Sequence, residues 1–313
     1  MAAGLGIPVT ATDQPGSPGH STPGGTAALR VVAPEQVTAD NLGPLQDLPG
    51  FWQGTGFGLV AKPDRASPTG VFLQLNILQE TIEFTPIGSP VPDRGSVQNN
   101  IAIFGVTYLH RVTDATTGGA LHIEPGMWIN VPATTDPPAG ATVARLFTVP
   151  HGNAVCAPGV FNDADVNGIP TLPSISTVPF PLGTTPPPTR PAGQFPEYDL
   201  STPTEFRTHP LPAAITQAMV DDPVEALRAA LAPLQLTHVT SLIVSSDEGG
   251  GIANIPFITA NANAPQVNAT FAIETVAGPF GPYLQLQYSQ STELQFGGIS
   301  YPHVTVGTLI KAF

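Results

Sequence analysis

The sequence predicts an all-β protein built on an antiparallel up-and-down barrel of about ten strands, with a proline-rich insertion that contains a short helical segment. Two observations predict this class. Short apolar runs alternate with polar residues at a period of two, and Gly, Pro or Asn turns separate them, as antiparallel neighbours require. Repeated helix–strand alternation, which marks a parallel sheet, does not occur. About ten strands close naturally into a barrel, which removes sheet edges and encloses a cavity.

Composition favours a single large β domain with long irregular segments. The chain has 313 residues, of which 32 are glycine and 37 are proline. Charged residues make up 11% of the chain, against the roughly 25% that soluble domains carry on average. Apolar residues still reach 41%, which is enough to build a core. We therefore expect a folded, turn-rich protein and not a wholly disordered one.

Charge and cysteine content narrow the partners and the compartment. The formal net charge is −13 and basic residues form no cluster, so no nucleic-acid partner is expected. The single cysteine, Cys156, excludes an internal disulfide framework and fits a reducing cytoplasm. No run of about 18 apolar residues and no basic-then-apolar leader occurs, so neither a membrane span nor a secretion signal is predicted. The expected protein is cytoplasmic, and its expected partner is a small-molecule ligand.

The first part of the barrel is predicted over 28–159, after a disordered tail at 1–27 that is rich in Gly, Pro, Ser and Thr. Alternating runs predict strands at Gly50–Ala61, Gly70–Thr85, Ile101–Thr113, Ala120–Val131 and Thr142–Pro150. Within the second of these runs the apolar phase slips, which indicates either one long strand or two joined by a bulge. Pro125–Gly126 is expected to break the fourth.

Residues 160–235 are predicted to be an insertion outside the barrel. Twelve prolines lie between Pro170 and Pro212 inclusive, and because proline cannot donate to a strand ladder, this segment should contribute little to the core. One helix is expected at Pro212–Leu231, divided by Pro223. The second part of the barrel follows over 236–313, with strands at Leu236–Ser246, Ile252–Asn261, Val267–Val276, Tyr283–Ser291 and Ile299–Phe313.

The last strand places one histidine in an otherwise apolar alternating segment. From Val304 onward the β-branched residues fall on one face, while His303, Thr305, Gly307 and Leu309 fall on the other. In a closed barrel one of these faces points into the lumen, where a neutral imidazole is a candidate ligand for iron or another metal. The alternative is a hydrogen-bonded core histidine, which is the commoner role of a single histidine in a strand.

The first strand carries a glycine track. Trp52, Gly54, Gly56 and Gly58 share one face of Gly50–Ala61, and glycines at that spacing let another backbone or a flat ligand approach closely. The alternative is a bent strand at a barrel corner. No Gly-Lys-Ser/Thr follows, so the track is not a phosphate-binding loop.

Several segments resemble the nitrobindins, small ten-stranded barrels that bind haem b. Gly50–Gly56 fits the opening-strand motif G-x-W-x-G-x-G, and Tyr301–Val304 is similar to the closing-strand phrase Pro-His-apolar. Leu121–Trp128 resembles an H-x-E-x-G-aromatic segment of that family, and two further phrases, Gln79–Phe84 and Thr148–Gly152, agree in order. The resemblance covers roughly 48–158 and 236–313, and it leaves out the tail and the insertion.

This resemblance implies a function and a set of site residues. His303 would be the metal ligand on the proximal side of a haem b iron, and His122 the catalytic group on the distal side, with His151 as another candidate. The cofactor-binding wall would comprise Trp52, Gly54, Thr55, Gly56 and His303. A ferric haem in such a barrel is implied to isomerise peroxynitrite to nitrate or to bind nitric oxide, so an isomerase or peroxidase-like activity follows. The strand cations expected for the haem propionates are Arg111, Arg145 and Lys311.

Two other functions stay open at the level of sequence. The lumen could instead hold an apolar small molecule without iron, as in a non-enzymatic carrier. No serine-nucleophile elbow, zinc ligand cluster or paired-carboxylate motif favours another class of enzyme. A third alternative is a structural or interaction protein that uses the proline-rich arm. A Soret band in the purified protein distinguishes the haem hypothesis from both of these.

Overall fold

The computed structural model describes residues 39–166, 170, 172–187 and 194–312. The tail predicted at 1–27 lies outside these residues. Fifteen strands are present in the described part of the chain: β1 (Gly50–Pro63), β2 (Val71–Pro86), β3 (Val91–Asp93), β4 (Ile101–Asp114), β5 (Ala120–Val131), β6 (Thr134–Thr135), β7 (Pro138–Ala139), β8 (Thr142–Val149), β9 (Asn153–Asp165), β10 (Phe180–Pro181), β11 (Leu236–Ser245), β12 (Gly251–Asn254), β13 (Asn263–Val276), β14 (Tyr283–Phe296) and β15 (Ile299–Lys311).

Ten of these strands close into a barrel. In the order β1-β2-β4-β5-β8-β9-β11-β13-β14-β15 each strand pairs antiparallel with the next. The last strand returns to pair with β1, from Trp52↔Lys311 to Val60↔His303. This chain-order arrangement confirms the predicted up-and-down barrel. The short strands β3, β10 and β12 add to β4, β15 and β9, and β6 pairs with β7.

Besides helical residues at 39–41, three short α-helices lie in the described ranges: α1 (Gln217–Asp221), α2 (Val224–Leu231) and α3 (Pro256–Asn261). Helices α1 and α2 lie within the single helix predicted for this region and are divided at Pro223, as expected. At the division, the Asp222 carboxylate accepts a 3.1 Å hydrogen bond from the Val224 N–H. No helix in the described ranges is long and apolar enough to cross a membrane.

The strand predicted at Ile252–Asn261 is wrong in its second half. β12 stops at Asn254, and Pro256 starts α3. Proline suits the first turn of a helix, because the N–H that it lacks has no intrahelical partner at that position. The alternating apolar residues of this segment therefore belong to a strand only up to its first proline.

The predicted break at Pro125–Gly126 does not occur, and β5 runs through it. β5 pairs with β4 along nearly its whole length but with β8 only from Gly126 onward. Pro125 thus lies just outside the part of β5 that has two neighbours. At such a position a missing N–H leaves no neighbouring carbonyl without its donor.

One end of the barrel, which we call the filled end, is packed with apolar side chains. The 3₁₀ turn Gly43–Leu45 brings Leu42, Leu45 and Leu48 into the core, where all three are buried. The Trp52 Nε1–H donates a 2.8 Å hydrogen bond to the Leu48 carbonyl. The same core contains Phe84, Phe104, Val106, Trp128, Phe271, Leu286 and Leu309.

The apolar phase slip in β2 has a packing cause and involves no bulge. β2 pairs with β1 and with β4 without any register shift. In its first half the outward residues Val71, Leu73 and Leu75 are buried, and in its second half the inward residues Leu78 and Ile82 are buried. The strand is continuous, and only the face that is covered changes along its length.

The insertion covers the outward face of β1, β2 and β15. Residues of the insertion form one buried cluster with residues of those strands: Tyr198, Ile215, Val220, Val224 and Leu227 pack with Phe57, Leu59, Leu73, Leu75, Val304 and Val306. The expectation that this segment contributes little to the core is therefore wrong. The insertion also starts later than expected, because β9 continues in the barrel to Asp165, beyond the expected boundary at 159.

Truncating the insertion side of this cluster should destabilise the whole barrel. Leu227 on α2 is buried there, and a buried leucine truncated to alanine typically costs about 2–5 kcal/mol. We expect that loss for Leu227→Ala in urea unfolding. The matched control Leu182→Ala lies at an exposed position of the insertion and should change the free energy of unfolding by less than about 0.5 kcal/mol. Equally small effects in both variants would show that the insertion does not stabilise the barrel.

Candidate functional site

The other end of the barrel, which we call the open end, holds a cavity of about 430 Å³. Inward residues of β1, β2, β4, β5, β8, β9, β14 and β15 line it, and α3 contributes Ile258. The volume falls within the roughly 300–1,000 Å³ typical of small-molecule and cofactor sites. About eight strands make a barrel that side chains can just fill, so a hollow end is expected for a wider barrel of this kind.

His303 lies in this cavity, on the inward face of β15. Its Cα partners on the neighbouring strands are Val60 and Thr292. Its Nε2 is buried and has no hydrogen-bond partner among the described residues. Within those residues, no other buried, unpartnered side-chain atom belongs to a residue that lines the cavity. The imidazole therefore has one nitrogen free for a ligand.

Burial keeps this imidazole neutral. Desolvation lowers the pKa of His303, and the charges of Lys62 and His151 lower it further, to about 4. The Ala61 backbone raises this pKa without outweighing the other effects. A neutral imidazole with a free lone pair is the form that coordinates iron.

A buried ion pair forms the floor of the cavity. Glu124 of β5 accepts hydrogen bonds from Arg145 Nη2 and from the Tyr108 hydroxyl, both at 2.5 Å, and Arg145 Nε donates to the same hydroxyl at 2.9 Å. Arg145 Nη1 donates to Gln290 Oε1 at 2.6 Å. Glu124 and Arg145 are each only 1% exposed. The two charges are thus removed from water together.

The contacts of this pair keep both groups charged. Burial alone would raise the pKa of Glu124, but the Arg145 charge and the hydrogen bond from His122 outweigh it and lower this pKa to about 2. Burial likewise would lower the pKa of Arg145, and Glu124 raises it above its ordinary value. The guanidinium Cζ also lies 4.5 Å from the ring centroid of Phe147 and 4.7 Å from that of Phe271, within cation–π range.

A second carboxylate lies beside the ion pair. Glu80 of β2 accepts two hydrogen bonds at Oε2, from His110 Nε2 at 2.7 Å and from the Tyr288 hydroxyl at 2.6 Å. The rings of His110 and Tyr288 meet edge-on, with centroids 5.6 Å apart. Both rings line the cavity, and Glu80 is buried behind them.

Three imidazoles form one wall of the cavity. His122 meets His110 edge-on with ring centroids 6.4 Å apart, and it stacks on His151 at 6.3 Å with 14° between the planes. His122 Nε2 also lies 3.3 Å from Glu124 Oε2. His151 sits in the turn after β8 and is exposed. The row of histidines therefore runs from the floor of the cavity to its mouth.

No protein-family model and no curated protein matches this sequence. Among solved structures, a crystal structure of Rv2717c from M. tuberculosis aligns with a TM-score of 0.40 and 14% sequence identity, over 86% of this chain and 98% of that one.

The structure brings only some of the predicted site residues together. His303, His122 and His151 line one cavity. Trp52 lies instead in the core of the filled end, and Thr55 is exposed on the outward face of β1. Of the glycine track, only Gly58 reaches the cavity wall.

Gly54 and Gly56 serve the barrel itself. A Cβ at Gly54 would lie 2.0 Å from the Thr308 carbonyl oxygen on β15. A Cβ at Gly56 would lie 2.1 Å from Glu80 Oε1 and 2.5 Å from the Val306 carbonyl oxygen. These two glycines let β15 approach β1 and leave room for the buried carboxylate, and neither contacts the cavity.

The strand cations predicted for a ligand do not serve the cavity. Arg145 is committed to the ion pair, Arg111 is exposed on the outward face of β4, and Lys311 bonds a backbone carbonyl at the filled end. Sequence reasoning missed Lys62, because β1 runs two residues further than expected. Lys62 lines the cavity, donates a 2.7 Å hydrogen bond to Gln74 Oε1 and forms no ion pair with any described residue.

Sequence reasoning also missed His110. It shares the inward face of β4 with Tyr108 and Val112, both buried, so it was indistinguishable from another core position. The sequence did contain one signal for a polar site here: the neighbouring strands β2 and β4 each carry a polar residue on the inward face, Glu80 and His110. Among the described residues, no group of three or more His, Cys, Asp or Glu side chains is arranged to hold a bare metal ion.

Replacing Arg145, the cation in the floor of the cavity, should lower the free energy of unfolding. Arg145→Met leaves the Glu124 charge buried without its counter-charge, a change that typically costs about 3–5 kcal/mol. The double variant Arg145→Met/Glu124→Gln removes both charges of the pair and should recover part of that loss. Urea unfolding of the wild type, the two single variants and the double variant gives the coupling energy. Additive losses would mean that the two side chains do not stabilise each other.

Stability should also depend on pH through His303. Its pKa of about 4 in the folded protein lies below the unfolded value near 6.5, so the unfolded state binds the proton first. The wild type should therefore lose stability as pH falls from about 7 to about 4, by on the order of 3 kcal/mol, and His303→Gln should lack this component.

The control for this titration is His238→Gln. Its two carboxylate partners, Asp165 and then Asp163, raise the pKa of His238. The raised pKa means that His238 stabilises the folded protein below the unfolded pKa, and that this stabilisation is lost as pH rises through the folded pKa. The pH dependence is thus opposite to that expected for His303. Urea midpoints measured from pH 4 to 8 test both variants. Parallel curves for the wild type and His303→Gln would contradict the neutral, buried state of His303.

Proposed function

We propose that the protein binds haem b in the open end of the barrel, where His303 would be the residue that ligates the iron. The observation that carries this proposal is the His303 Nε2 atom, which is buried and has no hydrogen-bond partner in the part of the chain that the structure describes. A buried polar atom left unpaired costs about 1–3 kcal/mol. Ligation to an iron would satisfy that atom.

The residues of the cavity fit such a group. A haem needs one axial side chain from the protein, whereas a bare metal ion needs several. Val60, Leu78, Val112, Val149 and Val155 supply apolar wall for the porphyrin faces. Burial of that apolar surface would contribute most of the affinity.

Lys62 is the group that would hold a propionate. It lines the cavity at the end of β1 and has no carboxylate partner among the described residues. A cation in that state favours an anionic ligand, although the chain as a whole carries a net charge of −13. The same lysine would suit the carboxylate of an amphiphilic ligand, so a carrier without iron is the second candidate.

A bound haem would supply an iron centre for small reactive nitrogen or oxygen species. The side chain proposed to act on such species is His122, which lines the cavity with one ring nitrogen bonded to Glu124. That bond fixes the orientation of the ring.

Haem titration of the purified protein tests the proposal. We expect a Soret band that saturates at one haem per chain. His303→Gly should abolish the axial bond and weaken binding at least tenfold, and free imidazole added to this variant should restore the spectrum. The matched control His238→Gly lies outside the cavity and should bind as the wild type does.

Two outcomes would overturn the proposal: no Soret absorbance in the reconstituted wild type, or an unchanged spectrum in His303→Gly. Binding of a fatty-acid probe that Lys62→Ala weakens, together with no Soret band, would favour the carrier. Loss of both kinds of binding would exclude the cavity as a site for either ligand.

A further inference from the structure

The pair Glu80–His110 has a geometry that the proposed haem site does not require. Glu80 is 1% exposed and lies behind the cavity wall. Two donors converge on its Oε2, and no described residue reaches its Oε1. A carboxylate this deep carries a large desolvation cost, so a purely structural role would be served better by an apolar side chain.

The fold makes specific room for this carboxylate. A Cβ atom added at Gly56 would lie 2.1 Å from Glu80 Oε1. A Cβ atom added at Gly307, on β15, would lie 3.0 Å from the same oxygen. Two glycines on adjacent strands therefore flank the carboxylate. Because any larger residue at Gly56 would displace it, the barrel wall is shaped around Glu80.

His110 connects the carboxylate to the cavity. Its Nε2–H points to Glu80, which fixes the neutral ring as the tautomer with a lone pair on Nδ1. No described residue hydrogen-bonds to Nδ1, and the ring lines the cavity. A carboxylate behind an imidazole whose free nitrogen faces a cavity is the arrangement of a general base.

We propose that His110 is a proton acceptor for weakly acidic small ligands, H–X, that enter the cavity, and that Glu80 positions it and stabilises the cation that forms. The H–X bond breaks, its electron pair stays on X, and the proton forms an N–H bond at His110 Nδ1. No electrons are transferred, so no oxidant or reductant is needed. The ligand binds as the anion, beside an imidazolium paired with Glu80.

The surroundings determine where the proton can go next. The titratable and charged groups that face His110 from the packed strands are Glu80 of β2, Tyr288 of β14, His122 and Glu124 of β5, and Arg145 of β8 behind Glu124. Only His122 among them is both close to His110 and in contact with an exposed histidine, His151. The row of imidazoles therefore leads from His110 to solvent.

One test needs no haem. In the apo-protein, ¹⁵N NMR of the imidazole rings should show the proton of neutral His110 on Nε2 and a lone pair on Nδ1, and Glu80→Leu should remove that preference. A proton found on Nδ1 in the wild type would overturn the proposal, whatever the outcome for haem.

The second test rests on the proposed function and uses cyanide, which is present as its protonated acid at neutral pH. In haem-loaded protein, His110→Gln should slow cyanide association about a hundredfold or more, because general-base catalysis typically contributes about 10²–10⁴-fold. Gln retains a hydrogen-bond donor toward Glu80 but cannot take the proton. The solvent deuterium isotope effect of the wild type should disappear in the same variant, which a structural role would not cause. Glu80→Gln should also slow association.

Controls separate this inference from haem binding itself. All variants should retain the Soret band, so a lost band would count against the haem site, and a retained band with an unchanged cyanide rate would count against His110. His238→Gln should leave the rate as in the wild type. A rate that falls in His122→Gln and not in His110→Gln would assign the proton to His122 and overturn the proposal.

Discussion

The buried ion pair between Glu124 and Arg145 separates the two ends of the barrel. Two charges removed from water this completely are stable only when their remaining polar atoms find partners. Tyr108, Gln290 and His122 supply those partners, and each points into the lumen from a different part of the wall. The apolar core therefore stops at this layer, and the space beyond it begins with a polar floor.

The open end has no apolar core inside the barrel. The insertion instead buries apolar side chains on the outward face of the strands at that end. At the level of the cavity, the inward side chains of β1 and β15 include Val60 and His303, while their outward neighbours Leu59 and Val304 are completely buried. Helix α2 and the irregular segments around it cover those outward residues. Burial stabilises a strand whichever face is covered. The barrel can thus contain an open cavity, because at the level of the cavity the buried apolar side chains lie on the outward face of the strands, under the insertion.

The barrel can be predicted from the sequence, but the change of the buried face from inward to outward along the strands cannot. Alternation at period two predicts strands and the two faces of each, but it leaves open which face of β15, and so whether His303, points into the lumen. The phase slip in β2 is visible in the sequence, yet its cause lies in residues such as Leu227, more than a hundred positions away. Glu80 and Tyr288 are 208 residues apart and share one hydrogen bond. Such pairs follow from barrel closure and cannot be found by local patterns.

The opening-strand motif and the closing-strand histidine lie on adjacent strands but at different heights of the barrel. Trp52 belongs to the filled end, and Gly56, paired with Gly307, lies beside the buried carboxylate. Val60, paired with His303, lies in the cavity. The motif is therefore explained by the close approach of β1 and β15 beside Glu80. A barrel could retain this motif without binding any ligand. What the cavity binds depends instead on the side chains that line it, among them His303 with its unpartnered nitrogen.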